Sequence, residues 1–133
     1  MSQTTEEKIL EIAAKDSASI TTNDKTIIED TIAQLDKGQL RVAYFCEQRQ
    51  AWQTRAWVKQ AILLYFKIAK MHSESVGPFE YFDKIPLKKD YKNSGVRVVP
   101  PAVARYGSYI QEGAVLMPSY VNIGAFVGAR TMV

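Results

Sequence analysis

Few residues in this sequence are of types that do chemistry, and their spacing narrows the choice further. Arg97 stands in Val96-Arg-Val-Val-Pro-Pro-Ala102. It presents a planar guanidinium fork that matches a carboxylate, with pairing to a surface acid as the plain alternative. Ser119 has no histidine near it in sequence to act as a base, and a small residue at a turn accounts for it without nucleophilic chemistry. His72, the one histidine, falls at the expected end of a helix, where it would cap carbonyls or face solvent. Asn122 is expected to hydrogen-bond between stacked strands, and Arg105 and Arg130 to be solvated. Cys46 is the single cysteine, which rules out an internal disulfide or a multi-cysteine zinc site. Its place in an expected strand makes it a small core residue. No glycine-rich phosphate loop and no metal-ligand spacing is present, so neither a nucleotide nor a metal is implied.

The chain that must position these groups has 133 residues, 47% apolar and 23% charged, which fits a folded domain and argues against disorder. Its longest apolar run, 61–66, is far short of the ~20 residues that cross a membrane. The first eight residues lack the apolar core of a secretory leader, so a cytoplasmic location is expected. A net charge of +3 comes without a basic run longer than two residues. A nucleic-acid partner is therefore not expected.

Thr4 and Glu7 have capping-box spacing ahead of Ile9, Leu10, Ala13 and Ala14. A second amphipathic helix is expected from about Asn23 or Asp24, with Ile27, Ile28, Ile32 and Leu35 on one face, ending at Gly38. Alternation from Leu40 to Cys46 predicts a strand, 47–50 a turn, and 51–53 a short return strand. Thr54 is then expected to cap a helix to about Lys70, whose stripe Trp57, Val58, Ala61, Ile62, Tyr65, Phe66 and Ile68 belongs in a core. From Met71 to Gly95 the pattern dissolves among Gly77-Pro78, Pro86 and Asn93-Ser-Gly95. This segment is expected to be a connector whose Phe79, Tyr81 and Phe82 pack on the helices.

After Pro101 a period of six sets in: Val103, Tyr109, Val115, Val121, Val127 and Val133, with Gly107, Gly113, Ser119, Ala125 and Thr131 four places after the first five. Such a period suits a three-sided coil. The branched residue would point to the axis and the small one would turn each corner, with successive turns joined by parallel strand pairing about 4.8 Å apart.

These hexads resemble the hexapeptide acyltransferase superfamily. Met117-Pro-Ser-Tyr-Val-Asn-Ile-Gly124, together with Arg97-Val-Val-Pro-Pro101, Trp57-Val-Lys-Gln-Ala-Ile-Leu-Leu64 and Tyr81-Phe-Asp-Lys-Ile-Pro86, is similar to the tetrahydrodipicolinate N-succinyltransferase family. The resemblance implies an α+β N-terminal domain over 1–95 and the first coils of a left-handed parallel β-helix over 96–133. It implies a homotrimer with active sites between subunits, and succinyl transfer from succinyl-CoA, as co-substrate and not bound cofactor, to the amine of tetrahydrodipicolinate. Such a transfer must hold a dianionic acceptor, free its amine of a proton and stabilise an oxyanion. The family's arginine in this motif contacts the acceptor, so that role passes to Arg97. Its aspartate after Thr-Met-Val has no counterpart, since Val133 is the last residue. The resemblance therefore implies no catalytic residue within the chain. Gly128-Ala-Arg130 also departs from the family pattern, tolerably if Arg130 points outward.

Residues 103–133 make less than two full coils and end on an apolar inward position, so the sequence is expected to be one part of a longer enzyme. Two alternatives are a transferase with another donor or acceptor, and an interaction module that uses an open coil end. The expected outcome for the 133-residue chain alone is no turnover of succinyl-CoA. Measurable coenzyme A release with tetrahydrodipicolinate would contradict it.

Overall fold

The computed structural model describes residues 3–133. Helix α1 (Thr5–Ala13) starts with the expected box: Thr4 Oγ1 accepts from the Glu7 N–H, and Glu7 accepts from the Thr4 N–H at 2.8 Å. Helix α2 (Thr22–Asp36) starts earlier than its apolar stripe suggests, because Thr21 and Asp24 form a second capping box. The Thr21 N–H donates to Asp24 Oδ2 at 2.9 Å and Lys15 Nζ pairs with the same carboxylate at 3.0 Å. These bonds hold the Asp24 carboxyl below its usual range, the Thr21 amide first and Lys15 next, against the opposing effect of burial. Gly38, at φ 71°, follows the end of α2.

Strands β1 (Ala43–Cys46) and β2 (Ala51–Thr54) form the expected hairpin. Thr54 is not the cap of the next helix. It is the last residue of β2, and Arg55 occupies the N-cap without a side-chain bond. Cys46 is half-buried on this hairpin and lies outside the core clusters. Helix α3 (Ala56–Ile68) buries Val58, Ala61 and Leu64 against Ile9 and Ile12 of α1 and Ile28, Ile32 and Leu35 of α2.

The segment expected to be a connector contains a hairpin. Strand β3 (His72–Val76) pairs antiparallel with β4 (Phe79–Asp83) around Gly77-Pro78. Gly at φ 58° in a two-residue loop suits the strand twist. Its aromatics do not pack on the helices: Phe79 and Phe82 are 63% and 66% exposed. Its base is tied down by Lys84 Nζ donating to the Phe66 carbonyl and by Arg105 donating to Asp83, and Glu74 of β3 faces Lys89 at 3.7 Å. His72 accordingly sits on a strand and not at a helix end.

Six two-residue strands follow: β5 (Arg97–Val98), β6 (Val103–Ala104), β7 (Tyr109–Ile110), β8 (Val115–Leu116), β9 (Tyr120–Val121) and β10 (Phe126–Val127). Each pairs in parallel with the strand three places on, giving three faces: β5–β8, β6–β9 and β7–β10. The chain thus winds over itself, with α1–α3 as a layer beside the coil. Together these make an α+β fold.

The period of six is real, but its phase differs from the expectation. The interior is Val98, Ala104, Ile110, Leu116, Val121 and Val127, so the step from Leu116 to Val121 is five residues. Pairing registers agree: Arg97 lies beside Val115, 18 residues on, whereas Val103 lies beside Tyr120, 17 on. Val103, Tyr109 and Val115 therefore point outward. They share a count of six with Val121 and Val127 only because the short step at Pro118 exchanges one position for the next. The corners obey the same shift. Gly107 and Gly124 take φ of 83° and 86°, and Arg130, not Thr131, takes 57°. An added Cβ at Gly107 would stand 2.7 Å from Ile123 Cγ1 of the next turn and 3.0 Å from Ile32 Cγ2, and one at Gly124 2.8 Å from Ile62 Cδ1, so these glycines let the turns stack and the helices approach the coil.

Two outcomes follow from this packing. Leu116→Ala is expected to cost about 2–5 kcal/mol in urea unfolding, and Val115→Ala about 1 kcal/mol or less. The reverse order would restore the unshifted phase. Because the folded-state pKa of Asp24 is depressed, its contribution is fully present above the unfolded value of about 3.9. It is lost as pH falls through the lower folded value. The stability gap between the wild type and Asp24→Asn should thus be open at neutral pH and closed well below pH 4, as urea midpoints would read.

Candidate functional site

Arg97 is carried by β5 on the first coil face. Its own N–H donates to the Ala114 carbonyl at 3.0 Å, and the Val99 N–H donates to the Leu116 carbonyl at 2.8 Å. These bonds fix the two residues that bracket inward-facing Val98. Strand alternation then turns the Arg97 side chain outward, where it is exposed. Beside it in register stands half-buried Val115, which bridges in turn to Met132. Met117 is exposed on the same strand edge. Among the described residues Arg97 makes no ion pair and no side-chain hydrogen bond. The face therefore offers a free guanidinium next to aliphatic surface, an arrangement suited to a carboxylate on a short apolar body.

The other sequence candidates lie elsewhere. Arg105 is not a solvated surface residue. Its side chain is 19% exposed, bonded to Asp83 Oδ2 at 2.8 Å, and its guanidinium stands 5.5 Å from the Phe66 ring. No local pattern signals this pair, whose members are 22 residues apart and on different elements. Burial pushes the Asp83 carboxyl upward, but the Lys84 amide, Arg105 and the Ile85 amide together hold it below the usual range. Asn122 Oδ1 accepts from the Ile123 N–H at 2.9 Å and faces Arg105 Nη1 at 3.4 Å, a contact between stacked turns. Ser119 Oγ donates to the Met117 carbonyl at 2.6 Å. Arg130 is an exposed corner residue. Among the described residues no group of three or more His, Cys, Asp or Glu is placed to hold a metal, and no helix is long and apolar enough to cross a membrane.

Tyr65 and Tyr106 approach at the junction of α3 and the coil, with ring centroids 6.5 Å apart. Burial raises both phenols, helped by the charges of Glu29 and Asp36. The two rings pack against each other at this junction.

Comparison with known proteins gives this arrangement a context. Residues 3–68 match the family model described as tetrahydrodipicolinate N-succinyltransferase N-terminal. A curated relative from Variovorax paradoxus, named 2,3,4,5-tetrahydropyridine-2,6-dicarboxylate N-succinyltransferase, is 43% identical over 130 residues, covering 90% of this chain and 47% of its own length. One of the same name from Sodalis glossinidius is 42% identical over 127 residues, covering 91% and 46%. Another from Cupriavidus taiwanensis is 49% identical over 105 residues, covering 74% and 38%. The chain spans about half the length of the curated relatives it matches most extensively. With a helical layer matched by the family model and identities above 40% that continue through the coil, the chain belongs to the tetrahydrodipicolinate N-succinyltransferase family, corresponding to its N-terminal part.

Proposed function

We propose that this chain supplies the acceptor-binding arginine of an enzyme that moves succinyl from succinyl-CoA to the amine of tetrahydrodipicolinate, in the diaminopimelate route to lysine. The observation that carries this reading is an arginine held outward by a coil strand, without a side-chain partner among the described residues, in a chain whose relatives bear that name. Arg97 would take one acceptor carboxylate in a bidentate grip, while the aliphatic surface of Val115 and Met117 would lie along the carbon chain. Residues 1–95 would form the N-terminal domain and 96–133 the opening of a left-handed parallel β-helix, a fold to which the three parallel faces and the 17–18 residue repeat are well suited. The working enzyme would be a cytoplasmic homotrimer with sites between subunits. Succinyl-CoA would be a co-substrate, with neither a bound cofactor nor a metal required.

Arg97→Ala in the whole protein should lower kcat/KM for tetrahydrodipicolinate at least about 100-fold, since two charge-assisted hydrogen bonds of ~1.5–3 kcal/mol each are removed. KM for succinyl-CoA should change little, and Arg97→Lys should recover part of the loss. A change of less than threefold in Arg97→Ala would remove Arg97 from the acceptor site.

A further inference from the structure

A cavity of about 270 Å³ lies between hairpin β3–β4 and the second coil face, away from the face that carries Arg97. Ile85, Leu87 and Val103 give it an apolar lining, and a tyrosine comes from each side, Tyr81 from the hairpin and Tyr120 from the coil. The volume is just under the roughly 300–1,000 Å³ of drug-sized sites, so one ring on a short chain fills it.

The charges around this cavity decide what fits. Arg105, its only cationic lining residue, is already neutralised by Asp83 at 2.8 Å and touches Asn122 at 3.4 Å. An anionic ligand would have to compete for it. Glu74 is the second carboxylate in the lining, and its nearest cation, Lys89, is 3.7 Å away on a side chain 77% exposed. At that distance and exposure the pair contributes little. The lining thus keeps a carboxylate in surplus beside the Tyr81 ring, whose face attracts cations, while Tyr120 already has the Arg105 guanidinium 5.8 Å from its ring centroid and offers a surface for an aromatic ring. His72, paired in register with Asp83, adds a ring nitrogen to the same rim.

We propose that this cavity binds a small aromatic amine, its ammonium at Glu74 and its ring between Tyr81 and Tyr120. The site is independent of the succinyl-transfer reading, and its occupant is recognised by opposite chemistry: a cation here, a carboxylate at Arg97.

The test uses 2-phenylethylamine and 3-phenylpropionate, which share a ring and similar length but differ in charge, titrated into the whole protein and followed by NMR. The amine should give saturable shifts at Glu74, Tyr81 and Tyr120 and bind at least tenfold tighter than the acid. Glu74→Gln, a change at a partly exposed position, should weaken the amine about tenfold, and Tyr120→Ala should weaken both probes. The proposal is overturned if the amine gives no saturable shift, if the acid binds as well, or if Glu74→Gln keeps wild-type amine affinity.

Discussion

The carboxylate of Asp36 joins three parts of the chain: the end of α2, the segment that enters the coil, and a coil corner. Asp36 is the last residue of α2, where the helix already presents unpaired carbonyls and partial negative charge. A carboxylate there is unfavourable unless something offsets it. Two groups do: Lys88 Nζ approaches Oδ1 at 2.5 Å and the Asp36 carbonyl at 3.3 Å, and the Gly107 N–H donates to Oδ1 at 2.9 Å. Lys88 belongs to the segment leading from hairpin β3–β4 into the coil, and its N–H donates to the Ala104 carbonyl. One anion therefore ties the end of the helical layer to the segment that enters the coil and to a coil corner. Gly107 is needed at that corner twice over, for its positive φ and because Ile32 of α2 passes so close.

With this junction set, the two hairpins take different coil faces. Hairpin β1–β2 flanks the third face, where Arg41, just ahead of β1, stacks its guanidinium 3.3 Å from the centroid of the Phe126 ring. Hairpin β3–β4 stands over the second face through Asp83 and Arg105. Two-residue strands have little pairing of their own, so a coil of this kind depends on an apolar interior and on covered flanks. The first face is left with Arg97, Val115 and Met132, and it is there that a free guanidinium persists. On the second face Arg105 meets an acid, and the third face is met by Arg41 from the hairpin side.

What was legible in the sequence follows from how local each signal is. The capping box of α1 and the Gly38 stop of α2 involve residues within one helical turn, and both stand as expected. The box of α2 closes on Asp24 instead of Glu or Gln, so the apolar stripe is the stronger local signal and points to a later start than the cap. Hairpin β3–β4 escaped because His72-Ser-Glu-Ser-Val76 has no apolar alternation, although Gly77-Pro78 between two such runs is a usable turn signal. The coil period was legible and its phase was not. A chain of valines at exact sixes looked like one face, and only the pairing of Val103 with Tyr120 reveals the five-residue step that turns half of them outward.

The site divides in the same way. Arg97 could be picked out because its motif is contiguous, whereas the Asp83–Arg105 pair required the fold. Even so, a motif identifies a residue and not a binding energy. An exposed ion pair gains ~0–1 kcal/mol in water, which is far too little to hold a substrate. For Arg97 to grip a carboxylate strongly, the first face must be covered so that water is excluded and the local dielectric falls. Within the described residues the hairpins cover the other two faces, leaving Arg97 exposed. The proposed trimer answers this requirement physically: a neighbouring subunit laid against Val115, Met117 and Met132 would bury apolar surface and enclose the guanidinium in the same step. On that argument the acceptor site and the subunit contact are one structure, and weakening the contact should loosen the grip of Arg97 as surely as changing the arginine itself.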